Sequence, residues 1–268
     1  MENPIVPLHV AGTGNENTVM MIHGFTGSHE SMSELCGLIP RKCVSPDLIG
    51  HGMSPCPDDT KQYRLESMVD QLNEVTKKTI RQPFSLIGYS MGARLALTYA
   101  MASQAMVSCL VLISGTAGIQ DELERHERLI RDSSIASDIE VHGMQHFVNY
   151  WERQPIFTSQ RSLSAEKKQA MRRIRLSQRP KGLANHLRMA GTGAMVPLWD
   201  YLERLEIPVL LIVGEEDTKF MHIAERMKAR LPDAALEIIG NAGHAVHYEK
   251  PRETAASIIQ FLDRRQIR

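Results

Sequence analysis

A chain of 268 residues with 31 basic and 31 acidic side chains carries no net charge to offer a polyanion, which argues against a nucleic-acid binder. It is long enough for one large domain, or one domain carrying an insertion, and no stretch approaches the ~20 apolar residues that cross a bilayer. The opening residues MENPIVPLHVAGTG hold neither a basic segment nor an apolar run, so no signal peptide is expected. Cys36, Cys43, Cys56 and Cys109 form no C-x-x-C pair, which predicts neither a disulfide framework nor a metal site and fits a reducing cytoplasm.

In chain order, TVMMI (18–22) is a short apolar strand that runs into a Gly-containing loop, and KCVSPDL (42–48) is a second strand and loop. LESMVDQLNEVTKKTI (65–80) places Leu65, Met68, Leu72 and Val75 at helical spacing. FSLIGYS (84–90) reads as a strand, ARLALTYAMA (93–102) as a helix and CLVLIS (109–114) as a buried strand. From 116 to 200 the pattern changes: no buried strand is evident, the stretch tends to helix, and it holds 10 of the 21 arginines. The rhythm resumes with PVLLIVG (208–214), a helix near 219–230, ALEIIG (235–240) and a last helix, PRETAASIIQFLDRR (251–265). Strands alternating with helices imply a mostly parallel sheet flanked by helices. The expected organisation is therefore an α/β core, residues 1–115 and 201–268, interrupted by a helical cap insertion over 116–200.

Gly88-Tyr89-Ser90-Met91-Gly92 sits between an apolar strand and a helix. A serine on so sharp a turn needs small neighbours, and the context makes Ser90 a candidate nucleophile or base. A serine hydroxyl needs a histidine, and that histidine an orienting carboxylate. Asp217, just past PVLLIVG, and His244, in the loop of IIGNAGHAVHYEKP, supply them in the order Ser, Asp, His. Both fall at strand carboxyl ends, where sites of open α/β sheets gather. Glu215 and Glu216 flank the acid, but Asp217 lies one turn-length beyond the strand and is preferred; His247 follows His244, but His244 directly follows Gly243 in the loop and can project toward Ser90. An oxyanion site needs two backbone N–H groups; Met91 gives one and Phe25, in the His23-Gly24-Phe25 loop, the other. His23 is expected to shape that loop, His51 in DLIGHGMS to be architectural, His247 to be packed or exposed, and the remaining histidines to be surface or supporting residues.

Together these residues resemble the α/β-hydrolase superfamily, over nearly the whole chain. A narrower resemblance lies in GYSMGARLAL, LISGTAGIQ, YWERQPIFTSQ, KGLANHLRMAGTG, PLWDYL, VGEEDTKF and NAGHAVHYEKP. These are similar to the 2-succinyl-6-hydroxy-2,4-cyclohexadiene-1-carboxylate synthase family of menaquinone biosynthesis. That resemblance implies a lyase: pyruvate is eliminated from 2-succinyl-5-enolpyruvyl-6-hydroxy-3-cyclohexene-1-carboxylate and nothing is hydrolysed, with the Ser-His-Asp set acting as base. A substrate with three carboxylates calls for several cations. Arg94 and Lys219 are placed near the site by their distance from Ser90 and Asp217. Arg125, Arg128 and Arg175, with Tyr89, Gln120 and Trp151, follow from the resemblance. The expected partner is this small polycarboxylate substrate, with no nucleic acid and no membrane, and the expected state is a monomer or small homo-oligomer. No metal cluster or dinucleotide motif is evident, so no cofactor is expected. Two other readings stay open: a hydrolase of an ester or of a C–C bond beside a ketone, and a non-catalytic binder of an anionic ligand.

Overall fold

The computed structural model describes residues 5–14, 17–80 and 82–266, without the side chains of 265 and 266. Residues 1–4, part of the stretch read above for a signal peptide, lie outside the described residues. The chain order is β1 (Val10–Ala11), β2 (Val19–Ile22), α1 (His29–Leu38), β3 (Cys43–Pro46), α2 (Leu65–Thr79), β4 (Phe84–Tyr89), α3 (Met91–Ala102) and β5 (Val107–Ile113). Then come α4 (Glu122–Trp151), α5 (Ala165–Leu176), α6 (Pro180–Ala190), β6 (Val209–Gly214), α7 (Thr218–Lys228), β7 (Ala234–Ile239), α8 (Val246–Glu249) and α9 (Pro251–Gln266).

The strands make one seven-stranded sheet in the order β1-β3-β2-β4-β5-β6-β7, parallel throughout except for β1, which pairs antiparallel with β3. Both faces are covered, so the inner strands are mostly apolar runs whose alternate residues serve opposite layers. Met20, Ile22, Leu86, Leu110, Leu112 and Leu211 pack toward α2, α3 and α7. Val19, Met21, Ile87, Val111, Ile113 and Ile212 pack toward α1 and α9. Each such side chain, wholly removed from water, contributes roughly 1.5–3 kcal/mol. In α2 the same logic sets the helix face: Leu65, Met68, Leu72 and Val75 are buried, and Lys77 and Lys78 close the last turn against the negative end of its dipole.

Among the described residues no strand lies between β5 and β6. Helices α4 and α6 pack on each other there through Ala136, Ile139, Phe147, Val148, Leu183, Ala184 and Leu187. Helix α4 is broken at Gly143 (φ 74°, ψ −178°). No described helix is long and apolar enough to cross a membrane. One expectation about the cysteines is corrected. Cys36 in α1 and Cys43 at the start of β3 form a disulfide, their Cα atoms 5.9 Å apart, because the chain doubles straight back from α1 into β3.

The connection from β2 leaves through α1 on one face, and the connection from β4 leaves through α3 on the other. Neighbouring strands β2 and β4 therefore bound a switch point, where their carboxyl ends open a crevice. Phe25 follows β2 there and Ser90 follows β4.

Candidate active site

Ser90 sits alone between β4 and α3 with φ 51° and ψ −105°, a backbone conformation that L residues rarely adopt. Its N–H donates to the Ile113 carbonyl, 2.9 Å away. The turn works only because its flanks are glycine. A Cβ on Gly88 would come within 2.3 Å of the Gly92 carbonyl oxygen, and one on Gly92 within 2.3 Å of the Ile22 oxygen.

Strain of this kind gathers at the same edge of the sheet. Thr26, Ser90, Ser114 and Asn241, all with positive φ, follow β2, β4, β5 and β7. Such residues cost on the order of 1–3 kcal/mol each and persist only where surroundings enforce them. At Thr26 the enforcement is a turn closed by Gly27 N–H to the Gly24 carbonyl (3.0 Å), with Phe25 and Thr26 at its centre.

The three triad residues meet. His244 Nδ1 lies 2.7 Å from Asp217 Oδ2, and His244 Nε2 lies 3.0 Å from Ser90 Oγ. The carboxylate holds the imidazole proton on Nδ1, which leaves Nε2 to accept from the serine hydroxyl. Asp217 is the N-cap of α7 and accepts from the Phe220 N–H, 3.4 Å away. Glu215 and Glu216 turn to solvent. Both Asp217 and His244 are buried, and the Phe220 ring covers His244 with centroids 4.5 Å apart. This arrangement keeps water from the pair and strengthens its electrostatics.

The His244 loop is held by two residues outside the triad, Ser114 and Glu249. Ser114 Oγ donates to the His244 carbonyl (2.8 Å). The Glu249 carboxylate accepts from Gly243 N–H (2.7 Å) and Ala245 N–H (3.2 Å), one on each side of the histidine. The G-H-x4-E spacing was the available signal for Glu249; Ser114, 130 residues from His244 in the chain, had none.

The alpha/beta hydrolase fold family matches residues 17–251. The chain belongs to that family. A Bacillus subtilis protein that provisionally carries the name 2-succinyl-6-hydroxy-2,4-cyclohexadiene-1-carboxylate synthase is 39% identical over 94% of this chain and 92% of its own. The synthase of that name from Photorhabdus laumondii is 29% identical over 94% of this chain and 87% of its own. The solved structure of MenH from S. aureus superposes with a TM-score of 0.92 at 31% identity, covering 97% of this chain and 99% of that one.

In this α/β hydrolase the serine opens into a cavity of about 180 Å³. Of the residues expected there, Phe25, Tyr89, Ser90, Met91, Arg94, Arg128, Trp151, Lys219 and His244 line it. Arg94 is buried and its Nη1 donates to the Ala190 carbonyl, 2.6 Å away. Burial and the neighbouring Arg128 push its guanidinium down to about 10, so it stays cationic at neutral pH in a place that favours an anion beside it. Arg128 is held by Asp132 Oδ1 at 2.8 Å, and Lys219 is exposed at the rim.

Three expected residues stay out of the cavity. Gln120 is exposed and accepts from Arg226 (2.9 Å); Arg125 turns its Nη1 to the Ile119 carbonyl (3.4 Å), in the segment that precedes α4. Arg175 lines a second, smaller cavity of about 40 Å³, which shares Phe25, Tyr89 and Phe157 with the first. There it is tied to Glu152 and Gln160, both at 3.1 Å.

The remaining histidines divide sharply. His23 is buried and its Nε2 accepts from the Leu48 N–H (3.0 Å), which pins the Phe25 loop to the end of β3. His51, His186 and His247 are also buried rather than at the surface. His247 stacks on Tyr89, centroids 4.2 Å apart. Burial lowers all four, and takes His186 and His247 to about 3, so these rings are neutral in the fold. An unfolded histidine titrates near 6.5, so the unfolded chain binds the extra protons first, and stability present above that pH is lost as pH falls toward 3. His186 and His247 alone should cost together on the order of 4 kcal/mol between pH 7.5 and 5.0. Urea unfolding at pH 7.5 and 5.0 checks this; equal stabilities would mean that the buried rings ionise freely in the native state.

Proposed function

We propose that this chain eliminates pyruvate from 2-succinyl-5-enolpyruvyl-6-hydroxy-3-cyclohexene-1-carboxylate, giving 2-succinyl-6-hydroxy-2,4-cyclohexadiene-1-carboxylate for menaquinone biosynthesis. The observation that carries this reading is the pairing of an assembled Ser90–His244–Asp217 set with cations in the wall of the same cavity, foremost the buried Arg94. An ester hydrolase needs the triad but has no use for a buried cation there. A substrate with three carboxylates does.

In the proposed reaction His244, oriented by Asp217, takes the hydroxyl proton of Ser90. The serine oxygen removes a proton from the carbon beside the succinyl ketone. The enolate oxygen lies between the N–H groups of Phe25 and Met91. Met91 is the first residue of α3, where backbone N–H groups have no helical partner and the dipole favours negative charge. Collapse of the enolate breaks the ring carbon–oxygen bond and expels the enolpyruvyl group, which takes a proton and leaves as pyruvate. No acyl-enzyme forms. The carboxylates are met by Arg94, Arg128 and Lys219, with Arg175 beyond the partition made by Phe25, Tyr89 and Phe157. Residues 116–200 serve as a cap on the core of 1–115 and 201–268, and their aromatic contacts (Trp151 and Phe147 on Phe25) tie cap to oxyanion loop. The cytoplasm is the proposed compartment, and a monomer or small homo-oligomer the proposed state.

The test is to supply the enolpyruvyl substrate and measure pyruvate. Alongside it, Arg94→Ala removes a charge-assisted contact worth roughly 1.5–3 kcal/mol, so kcat/KM should fall about 10- to 150-fold, chiefly through KM. Rapid hydrolysis of short nitrophenyl esters with no pyruvate released would decide for the hydrolase instead.

A further inference from the structure

The break in α4 gathers three metal-ligand side chains on its solvent face, outside the catalytic cavity. Asp138 and His142 lie one helical turn apart. His146 is eight residues from Asp138, a separation of about 12 Å along a straight helix. At Gly143 the backbone leaves the helix with φ 74° and then re-enters it. As a result His146 Nε2 comes within 3.3 Å of Asp138 Oδ2, while His142 Nδ1 is 3.0 Å from Oδ1. The two imidazole centroids are 4.7 Å apart, and one ligand atom from each of the three residues lies within 4.8 Å of the others. Donors around a tetrahedral ion, at bond lengths of about 2.0–2.1 Å, stand roughly 3.3 Å apart.

A single histidine–aspartate pair one turn apart needs no special backbone. A second histidine on the other carboxylate oxygen, delivered through a left-handed residue, does. Nothing lies within 4 Å of where a Gly143 Cβ would be, so crowding does not account for the glycine; its positive φ does.

A second cluster, His9, His29 and Asp47, has a simpler account. Asp47 is buried and already accepts from the His29 and Met53 N–H groups at 2.7 and 2.9 Å, and from both imidazoles. It is a satisfied network, whereas Asp138, His142 and His146 face water with 36%, 53% and 53% of their side-chain surface.

We propose that Asp138, His142 and His146 bind a borderline divalent transition ion, Zn²⁺ first among them, since two imidazoles and one carboxylate are the donor set such ions prefer. The ion fixes the angle between the halves of α4. The first half carries Arg128 and the second carries Trp151, so the site sets the spacing of two residues in the catalytic cavity wall. The ion itself takes no part in the reaction, and the proposal stands whether or not the elimination does.

The experiment uses the full chain without a histidine tag, stripped with a chelator and titrated with Zn²⁺ by calorimetry and with Co²⁺ by visible absorption. One ion per chain is expected. His142→Ala and His146→Ala should each weaken binding by more than the roughly 10- to 100-fold lost when only an outer partner of a metal site is removed. Gly143→Ala, which keeps all three ligands but disfavours the positive φ, should weaken it too. His29→Gln should leave it unchanged, and Zn²⁺ should raise the Tm of the wild type but not of the His142→Ala/His146→Ala chain. Equal binding by that double variant, loss of binding in His29→Gln, or no binding by the wild type at micromolar metal would each overturn the proposal.

Discussion

Ser90→Ala should reduce pyruvate release from the enolpyruvyl substrate by ~10²–10⁴-fold in kcat, with KM close to the wild-type value. In the proposed reaction the hydroxyl is the group that touches the abstracted proton, while binding is assigned to Arg94, Arg128, Lys219 and the aromatic walls of the cavity, which the substitution leaves alone. Residual activity comes from the oxyanion N–H groups and the bound geometry, each of which survives. Ser90→Cys separates base from nucleophile. A thiolate is an excellent nucleophile but a weaker base than an alkoxide, so it can rescue acyl transfer better than proton abstraction. Elimination should stay depressed in Ser90→Cys, and mass spectra of the wild type during turnover should show no adduct on Ser90. An adduct that forms and decays at the turnover rate would make Ser90 a nucleophile and the chain a hydrolase.

What the sequence disclosed, and what it hid, follows from how each feature is specified. Strands β2 and β6 are buried throughout, and β4 and β5 are broken only by the half-buried Ser85 and the exposed Ser108 near their starts, so their local sequence is mostly apolar and legible alone. Strand β1 is two residues long and exists only through its pairing with β3, which no local pattern records. Helix α1 escaped because HESMSELCGL buries only Ser31, Met32 and Leu35, too few to make a stripe.

At the site, Ser90, Asp217 and His244 each sit at a strand end marked by glycine or acid, and those marks survive in one dimension. The arginines do not share that advantage. Arg125 and Arg128 are three residues apart on one helix, and only the Asp132 contact and the packing of α4 on α6 decide that Arg128 faces the cavity. Gln120 is diverted by Arg226, more than a hundred residues away in the chain. The same holds for the Glu249 clamp and for the three ligands at the Gly143 break. Each is a conjunction of ordinary residues made meaningful by a backbone turn that only the fold displays.

Asp217→Asn tests the other end of the triad, with an expected loss of about 10⁴-fold in kcat, the size of the effect of the same exchange in a serine–histidine–aspartate protease. The change is isosteric and keeps the N-cap of α7, since asparagine caps as well as aspartate, so stability should hold within about 1 kcal/mol. What changes is the proton on His244. Aspartate accepts from Nδ1–H at 2.7 Å and leaves Nε2 bare. Asparagine can turn its amide N–H to Nδ1, and the imidazole proton then moves to Nε2, where it faces Ser90 and cannot take the hydroxyl proton. Nitrogen-15 spectra of labelled histidine should show the proton leave Nδ1 in Asp217→Asn, with the fold and Tm intact and activity gone. An Asp217→Asn chain that keeps activity within about tenfold of wild type would mean that His244 needs no carboxylate to hold its tautomer, and the base role assigned to the Ser90–His244 pair would have to be withdrawn.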